Sequence, residues 1–165
     1  MTARFSFHRE ATVDIAASPQ AVFTLLDEHQ RLAAHMEKPS LMMAGATMKT
    51  ETDSQRGQAI GSLIRMKGRI LGIPLWVEET VSEYKPPFRK AWETLGEPRL
   101  LVIGNYRMGF ELASRENKTR LRVWIDYNPP SGIPGRWLGS ILGKVYADWC
   151  VTRMASDAAR AFYKE

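Results

Sequence analysis

The stretch LLVIGNYRMGFELASRENKTRLRVWIDY, residues 100–127, carries two runs in which apolar and polar side chains alternate. In residues 100–114, Val102, Tyr106, Met108, Phe110 and Leu112 share one side, and Asn105, Arg107 and Glu111 share the other. In residues 119–127, Leu121, Val123, Ile125 and Tyr127 oppose Arg120, Arg122 and Asp126. Successive side chains on a strand point to opposite faces, so this period of two predicts antiparallel strands with one face covered and one wet. Glu116-Asn117 supplies the turn between them, and Trp124 falls on the wet side.

The same signals extend upstream. Strand-like segments occupy residues 43–52, 59–71, 75–84 and 90–95, separated by Asp53-Ser54 with Gly57, Gly72 with Pro74, Pro86-Pro87 and Gly96 with Pro98. A first strand covers residues 5–16, where Ala11, Val13 and Ile15 oppose Thr12 and Asp14. Ser18-Pro19 then starts a helix, because serine is a good N-cap and proline suits the first helical position. Val22, Phe23 and Leu26 form its apolar face, and a second short helix over residues 30–36 ends before Lys38-Pro39.

After Pro129-Pro130, residues 136–163 read as one long helix. At about 100° per residue, Leu138, Ile141, Leu142, Val145, Tyr146 and Trp149 form one broad apolar face. Beside it runs a row of small residues, Gly135, Gly139, Gly143 and Ala147, which allows either close packing on the sheet or room for a ligand. The expected fold is α+β: a curved antiparallel sheet of about seven strands around a long C-terminal helix, with two short helices after the first strand. One helix cannot cover so broad a sheet tightly, so a hollow is expected between them.

The composition sets outer bounds. The chain has 165 residues, 44% hydrophobic and 25% charged, which is ordinary globular usage and enough for one domain over residues 1–165. The net charge of +5 is dispersed among acidic residues without a dense basic run, so it reads as solvated surface and not as a nucleic-acid site. The single cysteine, Cys150, excludes a disulfide within the chain and fits a reducing compartment. Residues 1–17 lack the apolar core of a signal peptide, and no run approaches the ~20 apolar residues of a membrane span. A cytoplasmic location is expected; the oligomeric state is not legible.

Three segments carry a family resemblance: Ser18-Pro19-Gln20-Ala21-Val22-Phe23, Val81-Ser82-Glu83-Tyr84-Lys85-Pro86-Pro87, and Thr119-Arg120-Leu121 leading into the last strand. With the order of elements, they make the whole chain resemble the START-like superfamily. This group is also called SRPBCC, Bet v 1-like or helix-grip, and it includes the polyketide cyclase/dehydrase and lipid-transport families. The resemblance implies a cavity that holds lipids, sterols, hormones, polyketides or aromatic compounds. None of the three segments is a catalytic signature, so the chemistry must come from the pocket's own residues.

Several chemistries lack their residues. His8, His29 and His35 have no partner at metal-ligand spacing, and no cofactor is expected. Cys150 beside Trp149 reads as a buried, inert thiol, and no Gly-x-Ser-x-Gly elbow occurs. Gly132-Ile133-Pro134-Gly135 reads as a turn, without the lysine and Ser/Thr of a phosphate loop. Arg153 and Asp157 are spaced for an ion pair one helical turn apart.

Two carboxylates remain. Glu78 and Glu79 are adjacent on one strand, so one of them points to the covered face, where an apolar site raises a carboxyl pKa and suits general acid–base work. His35, followed by Met36, is the candidate partner at the cavity mouth. The expected lining comprises Trp76, Trp92, Tyr106, Met108, Phe110, Val123, Ile125 and Tyr127 from the strands, and Leu142, Tyr146 and Trp149 from the helix, with His35 and one glutamate as polar contacts. Met36, Met42, Met43, Met48 and Met66 add adaptable surface.

The leading expectation is therefore a protein that binds a small hydrophobic or amphipathic molecule: a lipid, isoprenoid, polyketide or aromatic compound. The alternative is a polyketide cyclase, dehydratase or hydrolase using His35 with Glu78 or Glu79. A further one is a coenzyme Q-type lipid carrier acting with a protein partner.

Overall fold

The computed structural model describes residues 5–34, 46–131 and 133–163. The elements run β1 (Phe7–Ile15), α1 (Pro19–Asp27), α2 (His29–Leu32), β2 (Thr47–Thr52), β3 (Leu63–Ile70), β4 (Ile73–Lys85), β5 (Arg89–Arg99), β6 (Tyr106–Arg115), β7 (Lys118–Tyr127) and α3 (Ile133–Tyr163). The strands form one curved seven-stranded sheet in the order β1-β7-β6-β5-β4-β3-β2, with every neighbouring pair antiparallel. This is the helix-grip arrangement that the family resemblance implied, built on the antiparallel sheet that the alternation and turn chemistry predicted.

Local chemistry sets the element ends. Ser18 caps α1, its hydroxyl accepting the Ala21 N–H, and Pro19 occupies the first turn. Residues 100–105 leave the strand pattern that Val102 suggested, and β6 starts only at Tyr106. The Gly104 N–H donates to the Asn128 carbonyl, and a Cβ at Gly104 would come within 2.6 Å of the Pro129 carbonyl oxygen. The close approach of these two loops, not strand pairing, governs the segment. Helix α3 begins at Ile133, inside the segment read as a turn.

The inner face of the sheet is continuous core. Phe110, Leu112, Leu121, Val123, Ile125 and Tyr127 are all buried there. On the outer face Trp124 is also buried. Its indole lies over the space left by Gly109, its cross-strand neighbour, where a Cβ would come within 2.8 Å of the ring. The Arg107 guanidinium stacks 5.5 Å from the ring centroid.

The long helix meets the sheet with its small side. Gly139, Gly143, Ala147, Val151 and Ala158 are buried, and a Cβ at Gly143 would sit 2.8 Å from the Val102 carbonyl oxygen. The glycine row is thus a close-packing surface. The large apolar face expected to cover the sheet turns outward over its first half: Ile141 is 56%, Leu142 44% and Val145 52% exposed. The helix lies closest to β1 and β7. The concave surface of β2 to β5 is therefore left to α2 and to a void. Arg153 pairs with Asp157 at 3.3 Å as the spacing predicts.

Candidate functional site

The void opens between the concave face of the sheet, α2 and the middle of α3. The space within it open to the centre of a water molecule is about 50 Å³. Its wall is apolar for the most part: Leu32 and Ala33 from α2, Met48, Met66, Val77, Trp92, Met108 and Ile125 from the strands, Leu100 and Ile103 from the loop before β6, and Met154 from α3. The polar exceptions among the described lining are His29, Glu79, Tyr106, Tyr146 and Cys150.

The alternation of β4 selects its glutamate. Leu75, Val77, Glu79 and Val81 share the buried face, while Trp76 and Glu78 share the other. Glu79 is 1% exposed, whereas Glu78 reaches outward to Arg65 at 2.5 Å. The Tyr106 hydroxyl, brought in at the first residue of β6, donates to Glu79 Oε1. His29 opens α2 and is 3% exposed. Its Nε2 lies 3.5 Å from Glu79 Oε2, and its ring stands edge-on to Trp92 with centroids 5.0 Å apart. His29 Nδ1 and Glu79 Oε2 are buried without a hydrogen-bond partner among the described residues.

Burial, reinforced by the neighbouring Glu79 carboxyl, holds the Tyr106 phenol well above its ordinary range. Burial does the same to Tyr146, whose hydroxyl interacts with the Cys150 thiol. The thiol itself is pushed up to about 12 by burial, so it presents no thiolate nucleophile near neutral pH. The phenols enter the cavity as neutral groups.

His29 is held from behind. Asp27, two residues earlier, accepts from Lys90 Nζ at 2.9 Å and from the Tyr84 hydroxyl at 2.8 Å. Lys90 is wholly buried, and its Nζ also donates to the Asp27 carbonyl at 3.1 Å. Lys90 and Trp92 are consecutive inward residues of β5. One holds Asp27 and the other flanks His29, so a single strand seats the junction of α1 and α2.

The structure brings together Glu79, Trp92, Tyr106, Met108, Ile125 and Tyr146 of the residues expected at the site. It separates the others. Trp76 is 43% exposed on the outer face, because it is one residue out of phase with Val77. Phe110 packs between Phe23 and Trp92, Val123 is buried in the core opposite Ala11, and Tyr127 stacks on Phe7 at 5.4 Å. Leu142 faces out, and Trp149 lies against Tyr146 at the flank of the core. His35, Met36, Met42 and Met43 lie outside the described residues. His29 was missed as a site residue, although Val22, Leu26 and His29 continue one helical face at steps of four and three.

Residues 6–160 match the family described as polyketide cyclase / dehydrase and lipid transport. The chain belongs to that family. No curated protein matches it at a significant level of sequence similarity. Among solved structures, a truncated norcoclaurine synthase from Thalictrum flavum is similar at TM-score 0.65 and 15% identity, covering 96% of this chain and 94% of that one. An aromatase/cyclase from a Streptomyces species matches at TM-score 0.62 and 14% identity, over 93% and 94% of the two chains. A protein from Chromobacterium violaceum matches at TM-score 0.62 and 13% identity, over 96% and 99%. At these identities the likeness is one of fold. Among the described residues, no helix of this family member is long and apolar enough to cross a membrane.

Proposed function

We propose that the chain binds a small hydrophobic or amphipathic molecule in the void between sheet and long helix, with the polar end of the molecule at His29, Glu79 and Tyr106. The observation that supports this reading is a pair of buried polar atoms, His29 Nδ1 and Glu79 Oε2, without hydrogen-bond partners among the described residues at the wall of an apolar void. Buried polar atoms are nearly always satisfied, and an orphaned one costs about 1–3 kcal/mol. A ligand that bonds to them recovers that cost and adds about 25 cal/mol for each Å² of apolar surface it buries. Family membership and the fold of the aromatase/cyclase and norcoclaurine synthase are in keeping with a ligand of this kind.

A second reading, catalysis of the cyclase or dehydratase type, has one specific support. His29 Nε2 and Glu79 Oε2 stand 3.5 Å apart inside the void, which is the placement a proton-transferring pair needs once a substrate tightens it. Native mass spectrometry of protein purified from its own host tests both readings. A co-purifying small molecule released on denaturation is expected. An empty protein that turns over polyketide or ester substrates, with turnover lost in Glu79→Gln, would move the conclusion to the second reading.

A further inference from the structure

The polar wall of the void has a sign. Its described lining contains no lysine or arginine. Lys90, the nearest buried cation on β5, spends its ammonium on Asp27. The charge of the described wall is therefore that of His29 and Glu79 together. With Glu79 ionised the pair carries −1 or 0 as His29 is neutral or protonated, and with both neutral it carries 0. Only a protonated carboxyl beside an imidazolium would give a net positive wall, and that state forgoes the attraction between the two groups.

Hydrogen-bond capacity points the same way. A carboxylate only accepts, and Tyr106, a donor on this wall, already gives its proton to Glu79 Oε1. Among the described residues Glu79 Oε2 makes no hydrogen bond, its His29 Nε2 neighbour standing 3.5 Å away, too far to satisfy it. Across the void, Tyr146 and Cys150 are engaged with each other as neutral groups. With Glu79 ionised, a ligand carboxylate would place a second acceptor and a second negative charge against this low-dielectric wall.

We infer that the void selects apolar molecules whose polar end donates a hydrogen bond, a hydroxyl or an amine, and rejects those that end in a carboxylate, fatty acids among them. This inference rests on the binding reading above and adds to it the class of ligand. The donor bridges to Glu79 Oε2, while an amine in its protonated form also neutralises the −1 state of the wall.

Titration calorimetry with four probes that share one ring system tests it: a naphthol, the matching naphthylmethylamine, the naphthoate, and the methyl ester of that naphthoate. Near neutral pH the naphthol and the amine are expected to bind at least about tenfold more tightly than the naphthoate. The methyl ester, which has the shape of the naphthoate without its charge, should recover part of the gap. In Glu79→Gln, where an amide that can donate replaces the carboxyl, the naphthoate should come within about threefold of the naphthol. A naphthoate that binds wild type as tightly as the naphthol, or an ester no better than its acid, would overturn the selectivity and leave the binding reading standing. Binding of none of the four would overturn the binding reading and this inference with it. The ester comparison uses wild-type protein alone and does not depend on the variant folding.

Discussion

Tyr106 and Glu79 are held to each other by burial as much as by their hydrogen bond. In Tyr106→Phe the buried carboxyl loses its donor, so stability should fall by about 1–3 kcal/mol in urea denaturation. His8 tests the electrostatics of the outer face. Hydrogen bonds to Asp126 at 2.6 Å and Glu10 at 3.0 Å raise its pKa above the ordinary 6.5. A raised histidine pKa means that the folded state holds the proton more tightly. Its contribution is full below 6.5 and is lost as the pH rises through the raised value. The group is half exposed, so the effect should stay below about 1 kcal/mol. Proton NMR should place the His8 midpoint above 6.5, and His8→Gln should flatten the stability slope in that window.

Elements test how the long helix and the junction of α1 and α2 are held. Alanine is about 1 kcal/mol better than glycine inside a helix, yet a Cβ at Gly143 would sit 2.8 Å from the Val102 carbonyl oxygen. Gly143→Ala should therefore lower the melting temperature, because overpacking outweighs propensity. Leu142→Ala, on the outward face, should stay within about 0.5 kcal/mol of wild type by denaturant titration, against about 2–5 for a core leucine. At the junction, Lys90→Met strands the Asp27 carboxylate and should cost about 3–5 kcal/mol. The pair Lys90→Met with Asp27→Leu should recover part of that loss, since the two apolar side chains need no charge partner while the Tyr84 hydroxyl loses its acceptor.

Much of this was legible in single elements. The period of two placed Tyr106, Met108 and Ile125 on the covered face, and Ser18-Pro19 marked the start of α1. The choice between Glu78 and Glu79 was legible too, because Leu75, Val77 and Val81 define the phase of β4 and put Glu79 with them. The lining expected from Trp76 and Leu142 failed for different reasons. Trp76 falls on the outward-facing phase of its strand, alternate to Leu75 and Val77, whereas Leu142 sits on a helix face whose partner is decided by distance.

At the scale of the whole molecule, a ligand that enters the void links binding to stability. A donor-bearing probe at a hundred times its Kd should stabilise the fold by about 2.7 kcal/mol, seen as a rise in melting temperature that grows with probe concentration. The same concentration of a carboxylate probe should give a much smaller rise. The sequence by itself determined the number and type of elements, the alternating faces of the sheet, the family and the expectation of a hollow. These follow from local periodicity, capping and turn chemistry, each of which acts over a few residues. Only the tertiary structure decided which side of α3 meets the sheet, and that His29 is the residue brought to Glu79 and Tyr106. Both depend on how closely distant segments approach. The helix turns its glycines inward because the Val102 backbone already fills the space a larger side chain would need. Lys90, sixty-three positions beyond Asp27, anchors the junction that delivers His29. Contacts across such separations leave no period in the chain.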